Sequence, residues 1–247
     1  MKIFTFFSLL LVFSFAQAQQ GGNKVDAQGK KQGEWKKFYE NSSSIRYVGT
    51  FKDDKPVGKF YYYYESGQIQ SVMIHRKDGS SYCEMYHQTG NLMAKGVYVN
   101  EERDSTWYFF DDRGTLSYQE SYKNGKLHGQ QVVYYEPVNG EYRVMESTYW
   151  RNGLKHGEHK EYFPNTRLRC ESNYVDGNLN GARKYYYTSG KLERIERYKY
   201  ATRHGIWNYY GEDGKQLGLI IYWEGKLLEW EAKEKKLQEL KEKGTSQ

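Results

Sequence analysis

The residues of this chain that could do chemistry are six histidines, two cysteines, a few acidic pairs and one serine run. His128, His156 and His204 each stand immediately before a glycine, at Gly129, Gly157 and Gly205. That recurrence puts them at equivalent turn positions in different units, too widely spaced for one metal whose ligands all lie within about 2 Å. They are expected to serve turn geometry. Asp53-Asp54 and Asp111-Asp112 also fall in turns, and two lone acidic pairs are a thin basis for calcium. Ser42-Ser43-Ser44 reads as a loop and not as a nucleophile. The chain contains no Gly-x-Ser-x-Gly elbow, no phosphate loop, no His-Glu-x-x-His and no paired CxxC. We therefore expect no enzymatic activity, no catalytic residue, no metal and no cofactor.

What remains is binding chemistry. Residues 151–210 hold twelve Lys and Arg against six acids, so a basic segment laced with tyrosines stands out from an otherwise balanced chain. The candidate binding residues there are Arg183, Lys184, Arg194, Arg197 and Arg203, with Tyr186 and Tyr198. Such a surface suits an acidic protein, an acidic envelope glycan or an anionic lipid. A macromolecular partner is expected, protein first and envelope glycan or lipid second. Export makes nucleic acid an unsuitable partner, although basic aromatic surfaces bind single strands elsewhere. The structural alternative is a solvated sheet face whose tyrosines form cross-strand ladders.

These side chains must be positioned by a repeated element, because one stretch of about two dozen residues is written roughly eight times between Gly33 and Gly225. Gly129, Gly157 and Gly181 are each followed by an aromatic pair, Tyr134-Tyr135, Tyr162-Phe163 and Tyr186-Tyr187. A turn and an aliphatic residue come next, as in Ser189-Gly190-Lys191-Leu192, and Asn124-Gly125, Asn152-Gly153 and Asp176-Gly177 close the units. Gly125, Gly129, Gly153, Gly157, Gly177, Gly181, Gly190 and Gly205 are thus the repeat-defining positions. Earlier copies pair Phe38-Tyr39, Tyr63-Tyr64 and Phe109-Phe110. The copy at residues 79–104 reads as degenerate, with His87 at the second aromatic position. The last copy, with Tyr209-Tyr210, reads as one residue short before the pair. Adjacent aromatics on a strand point to opposite faces, so one member of each pair is expected in the core and the other on the second face.

Strand-length runs rich in Tyr, Trp, Phe and Val between Asn-Gly, Asp-Gly and Ser-Gly dipeptides predict β-hairpins. A period of this length, so sustained, predicts stacked units. The expected fold is all-β, an elongated antiparallel meander of about eight hairpins over residues 33–225. Its exposed edges make self-association an expected property. An array of this kind would hold Cys83 and Cys170 about 30 Å apart, beyond the roughly 7 Å limit for a disulfide. Both are expected as unpaired thiols.

The flanks read differently. Lys2, the apolar run to Phe15 and Ala16-Gln17-Ala18 predict a secretory signal over residues 1–18. The run is too short for an ordinary membrane span, and no cysteine follows it for lipid attachment. A periplasmic or extracellular location is expected, with no span after signal removal. Residues 19–32 read as a flexible leader. Residues 226–247 place Leu227, Leu228, Trp230, Leu237 and Leu240 among Lys and Glu, predicting a short amphipathic helix that caps the last hairpin.

Units such as Asn152-Gly153-Leu154-Lys155-His156-Gly157-Glu158-His159-Lys160-Glu161-Tyr162-Phe163 resemble the MORN repeat (membrane occupation and recognition nexus), and most closely its bacterial variant. The resemblance covers roughly residues 33–225, is strongest from Gly125 to Gly214, and weakens at residues 79–104 and at the insertion Glu136–Tyr149. It implies an elongated hairpin array used for protein or lipid contact, usually without catalysis. Some bacterial relatives are labelled antitoxin components, a cytoplasmic role at odds with an export signal. The expected function is an exported protein-interaction or scaffolding module of the cell envelope.

Overall fold

Asn-Gly and Asp-Gly dipeptides close one end of the hairpins as two-residue turns in which both residues are left-handed. The φ angles are 49° and 71° at Asn124-Gly125, 51° and 85° at Asn152-Gly153, and 48° and 85° at Asp176-Gly177. This type I′ geometry twists in the same sense as the flanking strands. Asp53-Asp54, Asn100-Glu101 and Tyr200-Ala201 adopt it without a glycine. At the other end the turns are longer: Tyr187 N–H donates to Lys191 O (2.9 Å) and Gly190 N–H to Tyr187 O (2.8 Å).

The computed structural model describes residues 22–244, so the signal expected at residues 1–18 lies outside the described residues. The strands are β1 (Lys24–Val25), β2 (Lys31–Phe38), β3 (Ile45–Lys52), β4 (Lys55–Tyr63), β5 (Ile69–His75), β6 (Ser80–Tyr86) and β7 (Leu92–Val99). They continue as β8 (Glu102–Phe110), β9 (Leu116–Lys123), β10 (Lys126–Tyr134), β11 (Val144–Arg151), β12 (Leu154–Tyr162) and β13 (Leu168–Val175). The last group is β14 (Asn178–Leu179), β15 (Gly181–Tyr186), β16 (Leu192–Lys199), β17 (Thr202–Arg203), β18 (Gly205–Tyr210), β19 (Gln216–Trp223) and β20 (Lys226–Leu227), followed by helix α1 (Trp230–Glu242). Neighbours pair antiparallel in chain order, which makes one open 20-stranded meander of the described residues. The strand pairs β14–β15 and β17–β18 each act as one interrupted strand against β13 and β16.

The sheet begins earlier than the repeat pattern. Residues 22–32, expected as a flexible leader, carry β1, which pairs Lys24 with Gln32 and Val25 with Lys31. The Asp26 carboxylate closes this hairpin by accepting the N–H groups of Gln28 (3.0 Å) and Lys30 (2.9 Å). Register also holds through residues 79–104, where β6 pairs with β5 without interruption and with β7 with the same shift before Tyr86 that other units show before Tyr134 and Tyr162.

Gly129, Gly157, Gly181 and Gly205 have φ between 85° and 104°. Gly129 and Gly157 lie where pairing with the preceding strand shifts register, as glycine bulges do. Ser105, with φ 59°, holds the equivalent place in β8. Counting from these positions revises two aromatic pairs. The pair in β8 is Phe110-Asp111 and that in β18 is Tyr210-Gly211, because Asp111 and Gly211 make the same turn bond as Tyr135 and Tyr187. No residue is missing from the last copy.

The second member of each pair lies beyond the strand end and does not line a face. Its hydroxyl donates to the carbonyl of the first member in the next unit: Tyr39 to Tyr63 (2.6 Å), Tyr64 to Tyr86 (2.8 Å), Tyr135 to Tyr162 (2.7 Å) and Tyr187 to Tyr210 (2.8 Å). His87 Nε2 stands 3.2 Å from Phe110 O, so the seemingly degenerate copy keeps this strap with an imidazole.

Alternation then fixes two faces. One carries Trp35, Phe60, Cys83, Trp107, Gln131, His159, Arg183 and Trp207 in successive units, and its best-buried members include Phe60, Cys83 and Trp107, at most 1% exposed. The rings lie directly on glycines of the neighbouring strand: a Cβ on Gly96 would stand 2.3 Å from Trp107, and one on Gly49 2.2 Å from Phe60. Cys83 and Cys170 are separate buried thiols. On the other face α1 crosses the last hairpin, with Lys236 Nζ 3.3 Å from the Trp223 ring centre and Lys233 Nζ donating to Leu219 O (3.4 Å).

Candidate functional site

The tryptophan face changes character in its second half, where large rings give way to a polar row. Thr148 and His159 are 1% and 4% exposed. The Thr148 hydroxyl lies 2.8 Å from His159 Nδ1 and 2.9 Å from Glu146 Oε1, and His159 Nε2 lies 3.2 Å from Glu161. Arg183 continues the row, 3.6 Å from Glu161, with its Nε donating to the Cys170 sulfur (3.4 Å). Arg194 follows: its guanidinium stacks 3.5 Å from the Tyr185 ring centre and pairs with Glu196 (3.0 Å) and Glu193 (2.6 Å). The Tyr198 hydroxyl donates to Glu196 (3.0 Å).

Hydroxyl, imidazole and carboxylate are thus aligned at Thr148, His159 and Glu161. The Thr148 hydroxyl is buried in the sheet face. Burial pushes the Cys170 thiol up and the Cys83 thiol up to about 11, opposite to what a nucleophile requires. Burial and the Glu196 bond push the Tyr198 hydroxyl up to about 12. This row is a hydrogen-bonded polar core, the low-dielectric setting in which paired groups hold a single arrangement, although the buried Ser172 hydroxyl across from His159 has no hydrogen-bond partner among the described residues.

The seven candidate binding residues do not form one patch. Arg183, Arg194 and Tyr198 belong to the row just described. Arg203 stacks beside Trp207 and Tyr222, 5.6 and 5.2 Å from their ring centres, as Arg103 does beside Trp107 and Tyr122 at 4.8 and 5.5 Å. Lys184 and Tyr186 point to the opposite face, both bonded to Glu171 Oε1 at 2.9 and 2.8 Å. Burial would raise the Glu171 carboxyl, but these two bonds prevail and hold it low. The same bond and burial push the Tyr186 hydroxyl up. Arg197 also faces that side, beneath α1.

Other cations serve the frame. Arg143 donates to Pro164 O (2.7 Å), Arg167 to Thr188 O (2.9 Å) and Lys191 to Glu212 O (2.7 Å), each bracing the turn of the next unit. The histidines before the repeat glycines do likewise at the other sheet margin: His156 accepts from Asp176 N–H and His204 from Glu224 N–H, both at 3.4 Å, and His128 lies 3.2 Å from Asn152 Oδ1. Among the described residues no group of three or more His, Cys, Asp or Glu is placed to hold a metal ion.

The uncommitted surface is on the opposite face. There the first aromatic of each pair stands directly across from the aliphatic residue after the turn. The pairs are Phe38–Ile45, Tyr63–Ile69, Tyr86–Leu92 and Phe110–Leu116, then Tyr134–Val144, Tyr162–Leu168 and Tyr186–Leu192. Tyr210 ends the series across from Gln216. Phe38 and Ile69 are exposed and the other apolar members partly exposed, so an apolar stripe runs through seven units and ends at Tyr210 in the eighth, beside α1. The repeat pattern contains both positions; the missing signal was their cross-strand register, which the turn lengths set.

Among the described residues no helix is long and apolar enough to cross a membrane. A comparison with curated proteins finds no match. Among solved structures, the chain is similar to one in TcdB2–TccC3, at 13% identity over 81% of its length with a TM-score of 0.22. It is also similar to one in TcdB2–TccC3–Cdc42, at 12% over 83% with a TM-score of 0.23. It spans only 14% and 13% of those chains. The family model of the MORN repeat variant matches residues 56–77, 103–124 and 179–200, each running from the start of one hairpin to the turn that opens the next. The chain carries MORN-variant repeats at these three places, and such repeats mark a repeat protein involved in binding.

Proposed function

We propose that this chain is an exported, non-catalytic interaction module of the cell envelope that holds a protein partner along its aromatic–aliphatic stripe. The observation that carries this reading is the stripe itself: paired apolar side chains run partly exposed through seven successive units, a span of about 70 Å at roughly 10 Å per hairpin. Contiguous exposed apolar surface of that extent is characteristic of interaction sites. The cations that would favour a glycan or anionic lipid are mostly engaged inside the sheet, which ranks those partners second.

The test is capture from the envelope fraction of the producing cell, with the chain, a stripe variant (Ile69→Ser, Leu116→Ser, Leu168→Ser) and a basic variant (Lys184→Ala, Arg194→Ala). The partner is expected to stay with the basic variant and to be lost by the stripe variant while circular dichroism shows both folded. Loss by the basic variant alone would assign binding to the charged row instead.

A further inference from the structure

Between α1 and the face of the last hairpin lies a groove of about 590 Å³, within the roughly 300–1,000 Å³ of small-molecule sites. Ile206, Leu219, Trp223 and Leu240 supply its apolar wall, and Arg197, Lys241 and His204 its charged or chargeable groups. No carboxylate is among the described residues that line it. The basic end is held in place: His204 N–H donates to Arg197 O (2.9 Å), and the His204 ring centre lies 4.2 Å from that of Trp223. Lys236 covers the same indole at 3.3 Å and is paired with Glu239 at 3.1 Å. Burial first, then Lys199 and Lys236, hold the His204 imidazole low against the pull of Glu224, in keeping with a positive local field.

We propose that this groove binds a long-chain carboxylate, with the acyl chain along Ile206, Leu219 and Leu240 and the carboxylate toward Arg197 and Lys241. Charge complementarity selects an anion, and the apolar wall selects one with a single hydrocarbon chain. A sugar acid would leave that wall in contact with polar groups, and a cationic amphiphile would face like charge. This groove meets the stripe only at Gln216, the stripe's last position, and a carboxylate ligand there goes beyond the protein-binding reading.

Isothermal titration of the full chain with octanoate, decanoate and dodecanoate below their micellar concentrations tests it. One site is expected, with affinity rising roughly fourfold per added methylene. Lys241→Glu, on the helix surface, should weaken dodecanoate binding at least tenfold. Asn208→Trp should abolish it by filling the groove. Equal binding of dodecyltrimethylammonium, binding unchanged in both variants, or no saturable binding would overturn the proposal. Capture by phosphatidylglycerol vesicles without saturable dodecanoate binding would also overturn it, placing the contact at a bilayer surface.

Discussion

Single side chains in this sheet are mostly neighbours' supports, and their energetics follow from what they touch. Ala201 sits at φ 64° in a turn position that glycine fills in four sister turns, at Gly125, Gly153, Gly177 and Gly225. An L-residue in this region costs about 1 kcal/mol, so Ala201→Gly should raise the unfolding free energy by roughly that amount in urea titration. Arg103 and Arg203 stack on paired rings, and replacing either by Ala should cost about 0.5–1 kcal/mol with no effect on partner capture. The hydroxyls of Tyr86, Tyr122 and Tyr198 are pushed up to about 12 by burial and by bonds to Glu84, Glu120 and Glu196, from an ordinary value of 10.0. A raised folded-state pKa means that the stability is fully present below pH 10 and is lost as pH rises toward about 12. The share of the tyrosinate absorbance that these three contribute should therefore appear as a late step, together with loss of the β-sheet signal, and be absent when all three are changed to Phe. A smooth rise centred on pH 10 with the sheet intact would contradict the burial and bonding of these hydroxyls. The basic character of residues 151–210 was legible in the sequence, but its use was not. Composition records charge, whereas the pairing of Arg183 with Glu161 and of Lys184 with Glu171 depends on strand register.

At the scale of the hairpin, turn chemistry was the most legible part of the fold. Asn-Gly and Asp-Gly require positive φ at both residues, and the structure supplies it. The aromatic pairs were legible as a pattern but not in their role, because the second residue leaves the strand and so escapes the alternation rule. Its hydroxyl straps one unit to the next, and the copies that lack it are informative. Phe163 stands where Tyr39, Tyr64, Tyr135 and Tyr187 donate their bonds. Phe163→Tyr should therefore gain a bond to the Tyr186 carbonyl and stabilise the chain by about 0.5–1.5 kcal/mol. The converse change, Tyr135→Phe, should cost a similar amount and leave Tyr162 O without this donor. Urea midpoints for the two variants should move in opposite directions; movement in the same direction would refute the strap.

For the whole molecule, the difficulty of an open sheet is its two edges, each a template for further strands. Each end is blunted by polar groups. At the first, the Asn23 amide occupies the main chain of Lys36, donating to its carbonyl (3.0 Å) and accepting from its N–H (2.8 Å), while β1 covers Lys31 and Gln32. At the last, β20 pairs only with Tyr222 and Trp223, Leu228 N–H donates to Ile221 O (2.9 Å), and Lys233 reaches Leu219 O (3.4 Å). Leu217, 71% exposed, lies on the part of β19 that β20 leaves unpaired. The helix thus guards both an edge and the apolar face at Ile206 and Leu219, though none of its own residues is buried. A chain ending at Leu228 should keep its hairpins and lose both protections. Sedimentation should then show concentration-dependent association of the truncated chain, by pairing of its β19 edges, at concentrations where the full chain sediments as one smaller species. Adding Leu217→Lys to the truncated chain should reverse it, because a charge on an edge strand opposes pairing without touching the core. If the truncated chain sediments like the full one, the helix does not guard the edge, and the lone contacts at Asn23 and Leu228 suffice to close an open sheet.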